Sequence, residues 1–355
     1  DVYKRQPFIP SDIQPVRQRD YAAYAMVSFG SDDVFGDVRF SGNAGLRYVS
    51  SSLRSAGSIG APTQGALGIT DPFDVRCAAT VPDGAPPGTQ PETPGGVCLR
   101  GLAGYEQLQQ FANGATTANI AKDTYNFLLP SLNLKFGVTD DVIVRFAGSR
   151  VLTRPDNALV RNFLDIRTGD SGELTGTAGN PFLRPATAWQ FDASVEWYFA
   201  QVGSLTLNGF YKSIDDFFFQ SVTNRPITSN GVTENVLVRG PANFDGKGKI
   251  KGFEVAYQQT YEFLPAPFDG LGVQANYTYI ESEGLPNTFL NTGEPVDVST
   301  VPPGNLPLEQ LSKHNINFTG FYEKGPISLR AAYNWRSLFL LTAADVIFPF
   351  YSIFN

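Results

Sequence analysis

Apolar and polar positions alternate with a period of two over much of the chain. From Trp189 to Phe199 the odd positions are Trp189, Phe191, Ala193, Val195, Trp197 and Phe199, and the even ones are Gln190, Asp192, Ser194, Glu196 and Tyr198. Successive side chains of a strand point to opposite faces, so this segment predicts a strand with one wholly apolar face. Its length suits a tilted crossing of a bilayer, which takes about 9–11 residues. After Ala200-Gln201-Val202-Gly203 the pattern resumes, with Leu205, Leu207, Gly209 and Tyr211 against Thr206, Asn208, Phe210 and Lys212. The two segments form a hairpin.

The same unit recurs along the sequence. Leu132, Leu134 and Phe136 alternate with Ser131, Asn133 and Lys135, and the return strand sets Val142, Val144 and Phe146 against Ile143, Arg145, Ala147 and Ser149. Phe253, Val255 and Tyr257 alternate with Glu254, Ala256 and Gln258, followed by Leu271 to Tyr279 with Gln274, Asn276 and Thr278 on the polar side. Ile316, Phe318 and Tyr322 turn through Glu323-Lys324-Gly325-Pro326 into Ile327, Leu329, Ala331, Tyr333 and Trp335. A weaker pair runs from Tyr21 to Phe29 and from Val38 to Tyr48. The pattern predicts about ten strands in five hairpins.

The connections alternate in length. Within hairpins they are short, whereas Ser51 to Tyr125, Val151 to Ala188, Asp215 to Lys249 and Glu281 to Lys313 are long and rich in Gly, Pro, Asn, Asp and Thr. Compact soluble domains rarely hold even one structureless loop beyond about 12–15 residues. A transmembrane barrel does so by construction, with short periplasmic turns and long extracellular loops. Phe29, Phe136, Phe199, Phe263 and Tyr322 each border a short turn, and Tyr48, Trp189, Tyr211, Tyr279 and Trp335 lie near the long loops. Two aromatic girdles are expected at these levels, where an apolar ring with a polar tip meets headgroup water. A soluble β-sandwich also alternates, but it predicts neither one-sided loops nor two rings of aromatics.

Composition narrows the function. Lys plus Arg number 27 and Asp plus Glu 34, a net charge of −7, which argues against nucleic-acid binding. One His makes a His-based metal site or a Ser-His-Asp triad improbable, while Cys, Asp and Glu stay available as ligands. The nearest approach to an apolar helix, Leu338 to Phe354, is broken by Asp345 and Pro349, and no signal peptide opens the chain. The opening Asp1-Val2-Tyr3-Lys4-Arg5-Gln6 resembles the translation of a transposase end sequence used in preparing sequencing libraries. Residues 1–6 are therefore expected to be an assembly artefact and residues 7–355 to be the protein proper.

Several segments resemble the TonB-dependent receptors of the Gram-negative outer membrane. Leu129-Pro130-Ser131-Leu132-Asn133-Leu134, then Thr139-Asp140-Asp141, Ala147-Gly148-Ser149-Arg150 and Thr153-Arg154-Pro155, follow that family's order. So do Gly179-Asn180-Pro181-Phe182-Leu183-Arg184-Pro185 before the aromatic end Trp197-Tyr198-Phe199, and Ser312-Lys313-His314-Asn315 before a strand. Ala186 departs from the pattern, which usually has Glu there, and this puts one local contact in doubt. The wording is closest to the branch associated with oligosaccharide uptake. The resemblance implies an antiparallel up-and-down barrel of about 22 strands around a plugged lumen, of which this all-β chain supplies about ten. It implies outer-membrane lipid around the barrel, and a plug domain and closing strands outside this sequence. It also implies import of a small-molecule ligand powered through the TonB complex, with no cofactor and no enzymatic step. A ferric siderophore is the rival cargo. A passive porin-like channel and an adhesin or barrel enzyme are the rival classes.

The expected lumen face carries Lys135, Arg145, Asp192, Glu196, Asn208, Lys212, Glu254, Gln258, Asn276, Asn317, Arg330, Asn334 and Arg336. Substrate candidates among them are Arg145, Asp192, Glu196, Lys212, Glu254, Asn276, Arg330 and Arg336. Both charge signs are present, and no carboxylate pair stands apart as a hydrolytic site. In the loops, Asp215-Asp216 beside Phe217-Phe218-Phe219 is either a sugar-stacking platform, with Asp215, Asp216, Phe217 and Phe219 as contacts, or a continuation of the aromatic girdle. Cys77 and Cys98 fall in the longest loop; in an exported protein such a pair forms a disulfide, with free thiols or a metal as the alternatives. His314 is a rim residue, either an interfacial polar group or a titrating switch. The Gly-rich pieces Gly60 to Gly68 and Asp245 to Lys249 lack the strand–helix setting of a phosphate loop and are expected to be loop tips.

Overall fold

The computed structural model describes residues 13–32, 36, 38–81, 84–86, 88–284 and 307–341. Residues 1–6, and most of the segment Leu338 to Phe354, lie outside this set. Ten strands form one antiparallel meander: β1 (Val16–Ser31), β2 (Arg39–Gly60), β3 (Thr116–Gly137), β4 (Val142–Thr153), β7 (Ala186–Ala200), β8 (Gly203–Asp215), β11 (Gly248–Thr260), β12 (Leu271–Glu283), β13 (His314–Lys324) and β14 (Ile327–Arg336). These are the ten segments that the period-two pattern picks out. Each pairs with its neighbours in that order, and β1 and β14 are the edges of the described sheet. No described helix is long and apolar enough to cross a membrane, which leaves the strands as the crossing elements.

The register explains the two faces. One row of residues directly opposite one another runs Ser41, Lys135, Arg145, Ser194, Asn208, Glu254, Thr278, Asn315 and Arg336. Every member is polar. One residue along, on the other face, the row reads Leu134, Phe146, Ala193, Gly209, Phe253 and Tyr279. The next row below it is Phe136, Val144, Val195, Leu207, Val255, Tyr277, Ile316 and Trp335. A slip of one residue in any strand would send its polar set into the apolar face, so the alternation itself fixes the pairing. Phe146, Phe191, Leu207 and Phe318 keep 48%, 51%, 50% and 44% of their surface accessible, with no protein layer over them. An apolar face of this extent matches hydrocarbon rather than water.

Aromatics gather at the short-turn end, where Phe29 and Phe40 are 5.6 Å apart, Phe40 and Phe136 5.0 Å, and Trp197 and Phe199 5.0 Å. At the long-loop end Trp189 stacks on Phe191, and Lys313 lies 5.4 Å over the Tyr279 ring. The ammonium thus sits over the face of a ring at the long-loop edge of the apolar band, a cation–π contact.

The long connections are more ordered than the sequence predicts. β2 and β3 stay paired from Arg39↔Gly137 to Gly60↔Thr116, so each has 22 residues. At about 3.3 Å per residue that is roughly 70 Å, well over twice the hydrocarbon thickness. Beyond the wall, β5 (Leu164–Thr168), β6 (Leu174–Ala178), β9 (Phe218–Ser229) and β10 (Val232–Asn243) build a second sheet in the order β5-β6-β10-β9, with β6 and β10 parallel. Helices α1 (Phe73–Arg76) and α2 (Gly101–Phe111) pack on it from the β2–β3 connection. Tyr105, Leu108 and Phe111, spaced three apart on α2, are buried with Leu67, Val97, Ile166, Leu174, Val236 and Val238. Gly60 to Gly68 is therefore no loop tip: it ends β2 and delivers Leu67 to this core. Gly248 and Lys249 likewise open β11.

Placed in a complete barrel, Val195→Arg should cost roughly 2–4 kcal/mol near mid-membrane, and Ser194→Arg on the opposite face much less. Urea refolding into lipid vesicles measures both. Equal costs would contradict the assignment of faces.

Candidate functional site: the lumen wall and the extracellular cap

Arg145 and Glu196, from adjacent strands β4 and β7, meet as a two-point pair. Arg145 donates from Nε to Glu196 Oε1 at 2.7 Å and from its terminal nitrogen to Oε2 at 3.3 Å. Tyr198 adds a third donor to Glu196 at 3.0 Å. Two-point guanidinium–carboxylate pairs are the strong, directional kind. These groups satisfy one another near the short-turn end of the wall. Arg330 donates to Gln274 at 3.4 Å, and the Arg336 guanidinium lies 4.3 Å over the Phe339 ring. Asn276 accepts from Thr278 at 3.2 Å. The lumen candidates thus lie at several heights and form no single cluster.

Three of them do converge. Asp192, Lys212 and Glu254 line one pocket of about 460 Å³ with Phe210, Ile250, Ile280 and the segment Leu308–Leu311. That segment is held at both ends: the Leu308 amide donates to Ser282 Oγ at 3.1 Å and the Gln310 amide to the Leu340 carbonyl at 2.6 Å. Phe210 stands directly across from Asp192 on β7 and from Gly252 on β11. A Cβ on Gly252 would sit 2.6 Å from the Phe210 ring and 2.1 Å from the Tyr279 carbonyl oxygen. The glycine is what lets the ring lie against the backbone of β11. An aromatic ring on the polar face of the wall was legible in the sequence as a break in parity at Phe210, although the alternation by itself gave it no role. A lower pocket of about 350 Å³ is lined by Ser204, Gln258, Gln274, Asn276, Asn317 and Thr319, all uncharged.

The cap is bound to itself by strong local ties. Cys77 and Cys98 form a disulfide whose two residues are buried in the cap core. Arg100 pairs with Glu234 of β10 at 3.0 Å and donates from Nε to the Gly172 carbonyl at 2.6 Å. One guanidinium therefore joins three connections. The second Glu234 oxygen is buried without a partner, so the carboxylate depends on Arg100 for its charge balance. The Tyr105 hydroxyl donates to the Asp71 carbonyl at 2.5 Å, and burial pushes its pKa up, keeping the proton on the donor.

Asp215 and Asp216 join wall to cap. Asp215 faces Lys247 at 3.6 Å; Asp216, at a positive φ of 57°, takes Arg184 at 2.6 Å, and its carbonyl accepts from Asn243 at 2.9 Å. The Phe217 carbonyl accepts from the Phe244 amide, and Phe219 meets the Phe244 ring edge-on at 6.0 Å. This run is engaged within the fold at the foot of the cap. His314 begins β13 on the apolar face and shares a 2.8 Å hydrogen bond with the Tyr277 hydroxyl, the geometry of an interfacial polar residue. Over the outer side of the cap sheet, Asp165, Arg167, Thr175, Thr177 and Arg239 line a third pocket of about 260 Å³. No group of three or more metal-binding side chains occurs among the described residues.

Removing Arg100 (Arg100→Ala) should loosen the cap by about 1–3 kcal/mol, since it strands a buried carboxylate. Replacing both cysteines by Ser should cost about 3 kcal/mol on the chain-entropy model. Each change should speed protease clipping of the loops on intact cells while the barrel still resists unfolding by detergent. In the wild type neither sulfur should react with a maleimide until reductant is added. Unchanged clipping in both variants would mean the connections fold independently.

The model of the TonB dependent receptor-like beta-barrel matches residues 2–347. No curated protein matches the sequence. Among solved structures, a mutant of the ferric enterobactin receptor PfeA from Pseudomonas aeruginosa, in complex with enterobactin, is similar with a TM-score of 0.50 and 15% identity, over 93% of this chain and 43% of that one. The copper transporter OprC is similar with a TM-score of 0.50 and 12% identity, over 93% of this chain and 37% of that one. At such identities the likeness concerns the fold, and the chain spans less than half the length of either structure. Those two are a receptor and a transporter, and the family's barrels reside in the Gram-negative outer membrane. With a family model covering nearly all of it and a wall of alternating faces, the chain belongs to the TonB-dependent receptor β-barrel family.

Proposed function

We propose that this chain is the barrel portion, residues 7–355, of an outer-membrane active transporter that binds an oligosaccharide and imports it with energy relayed by the TonB complex. The plug, the TonB-contacting segment and the remaining strands belong to the rest of the receptor. The observation that carries the cargo is the upper lumen pocket. A sugar ring presents an apolar C–H face and a rim of hydroxyls. The Phe210 ring against Gly252 offers the complementary flat surface, and Asp192, Glu254 and Lys212 supply acceptors and a donor around it. The uncharged amides of the lower pocket continue the same chemistry along the wall.

A second reading, a ferric siderophore, is favoured by the outer side of the cap. Arg239 and Arg167, the latter paired with Asp165 at 3.0 Å, line a pocket there with a small excess of positive charge, and the similar PfeA structure is a ferric enterobactin receptor.

The complete receptor in outer-membrane vesicles separates the two. Equilibrium binding of malto-, cello- and xylo-hexaose is measured beside ferric enterobactin. The oligosaccharide reading expects at least one hexaose to bind, Phe210→Ala to weaken it at least tenfold, about 1.4 kcal/mol, and Phe210→Trp to retain it. Binding of the ferric chelate alone, unaffected by Phe210→Ala, would overturn it in favour of the siderophore. Uptake that persists when a protonophore collapses the proton gradient would remove the active-transport reading.

A further inference from the structure

Three Asn-Gly pairs occur in the chain, Asn113-Gly114, Asn208-Gly209 and Asn230-Gly231. Such a pair can react with itself. The glycine amide nitrogen attacks the side-chain Cγ, a C–N bond forms, and ammonia leaves with the amide proton. Water then opens the cyclic imide at either carbonyl, giving aspartate or isoaspartate. The step is redox-neutral and takes only water. It requires a glycine amide without another bond and a backbone free to turn, which glycine allows more readily than any residue with a Cβ.

The structure gives the three pairs different fates. Gly209 stands between Ala193 and Phe253 in the ladders of the wall. The Gly114 amide donates to the Pro62 carbonyl at 3.0 Å, and Asn113 Oδ1 accepts from the Ala115 amide at 2.9 Å and from Ser229 Oγ at 3.3 Å. Both pairs are held. Asn230 and Gly231 are instead the two loop residues of the β9–β10 hairpin, between the paired Ser229 and Val232. Their φ values are 48° and 77°, both are exposed, and a Cβ on Gly231 would meet nothing within 4 Å. As the second residue of such a two-residue turn, Gly231 keeps its amide out of the ladder.

One contact docks this tip on helix α2. Asn230 Nδ2 donates to the Gln110 carbonyl at 3.2 Å, and Gln110 Nε2 donates to the Asn230 carbonyl at 3.0 Å. Gln110 lies in the last turn of α2, where carbonyls lack partners within the helix. The Asn230 amide therefore caps the helix end. A carboxylate at this position would lose the donor, turn an acceptor toward an acceptor, and set negative charge at the negative end of the helix dipole. Isoaspartate would also lengthen the backbone of a turn that has only two residues. Ile227 and Val232 flank the tip and pack on the cap core, so release of the tip begins to open that core.

We infer that Asn230 is a site of spontaneous deamidation, and that its conversion to aspartate or isoaspartate undocks the β9–β10 tip from helix α2. In the docked tip the side chain is engaged, so the reaction runs through brief openings in which the reciprocal Gln110 pair parts. The site is independent of the lumen and of the cargo.

The test ages the complete receptor in outer-membrane vesicles at pH 7.4 and 37 °C, and peptide mapping by tandem mass spectrometry follows acid at each asparagine. Acid should accumulate at Asn230 at least about tenfold faster than at Asn113 or Asn208. Gln110→Ala, which frees the tip, should speed the reaction about threefold. Asn230→Asp should show from the outset the proteinase K clipping of the hairpin that the wild type acquires only with age. Heat-dependent gel mobility reports whether each variant folds, and the ranking of the three sites in the wild type needs no variant. Equal or reversed rates at the three sites, or no acid at Asn230, would overturn the site. A wild-type rate in Gln110→Ala, or clipping of Asn230→Asp no faster than that of fresh wild type, would overturn the undocking.

Discussion

A strand inside hydrocarbon has nowhere to send its backbone hydrogen bonds except to the next strand. The rest of this structure depends on that constraint. It makes the membrane part a single sheet, one residue thick, with lipid on one side and the lumen on the other. Such a wall has no interior in which to hide a mismatch. Each strand must hold its polar residues to one parity and its apolar residues to the other over the whole crossing, and the rows from Ser41 to Arg336 and from Leu134 to Tyr279 do so.

A one-layer wall also explains why the hydrophobic core lies outside the membrane. Side chains of the wall contact lipid or the lumen, so few of them are enclosed by protein. The connections that leave the wall enter water, where apolar groups must find one another. Tyr105, Leu108 and Phe111 of α2 close against Val236 and Val238 of β10, the disulfide closes a loop within the β2–β3 connection, and the Arg100–Glu234 pair fastens that connection to the one that carries β10. The cap is thereby a soluble-type fold mounted on a membrane-type fold. Its stability comes from packing, and the wall's comes from register.

This difference decides what the sequence could reveal. Wall strands repeat one rule for 10 to 22 residues, long enough for the period to stand out. The cap strands β5 and β6 have only five residues each, too short for the period to stand out, and β6 reads Leu174-Thr175-Gly176-Thr177-Ala178, with little apolar bulk. The partner of β6, β10, comes from another connection, and no local pattern encodes that pairing. Helix α2 begins with glycine and carries another at Gly104, both poor helix formers, so its turn spacing is visible only once its partners are known. In the lumen, the face of every candidate could be read from parity. Whether two of them touch could not, because contact depends on strand stagger: Arg145 lies across from Ser194 yet reaches Glu196 on the diagonal.

Departures from parity are therefore the places where selection for something other than the wall becomes visible. Phe210 puts an aromatic ring among polar neighbours, and Gly252 gives up a side chain so that the ring can lie against the next strand. Neither residue helps the membrane crossing: the phenylalanine exposes apolar surface to the lumen, and a glycine inside a strand weakens it. On the lipid side Gly209 does the converse, leaving a gap where Phe146 and Phe253 show that bulk is tolerated. A residue costly to the wall and matched by a neighbour across the strand is better explained by what occupies the space beside it. In the lumen that space is bordered by Asp192, Lys212 and Glu254. The two hollows lie on opposite sides of strands β7 and β8, which form part of both.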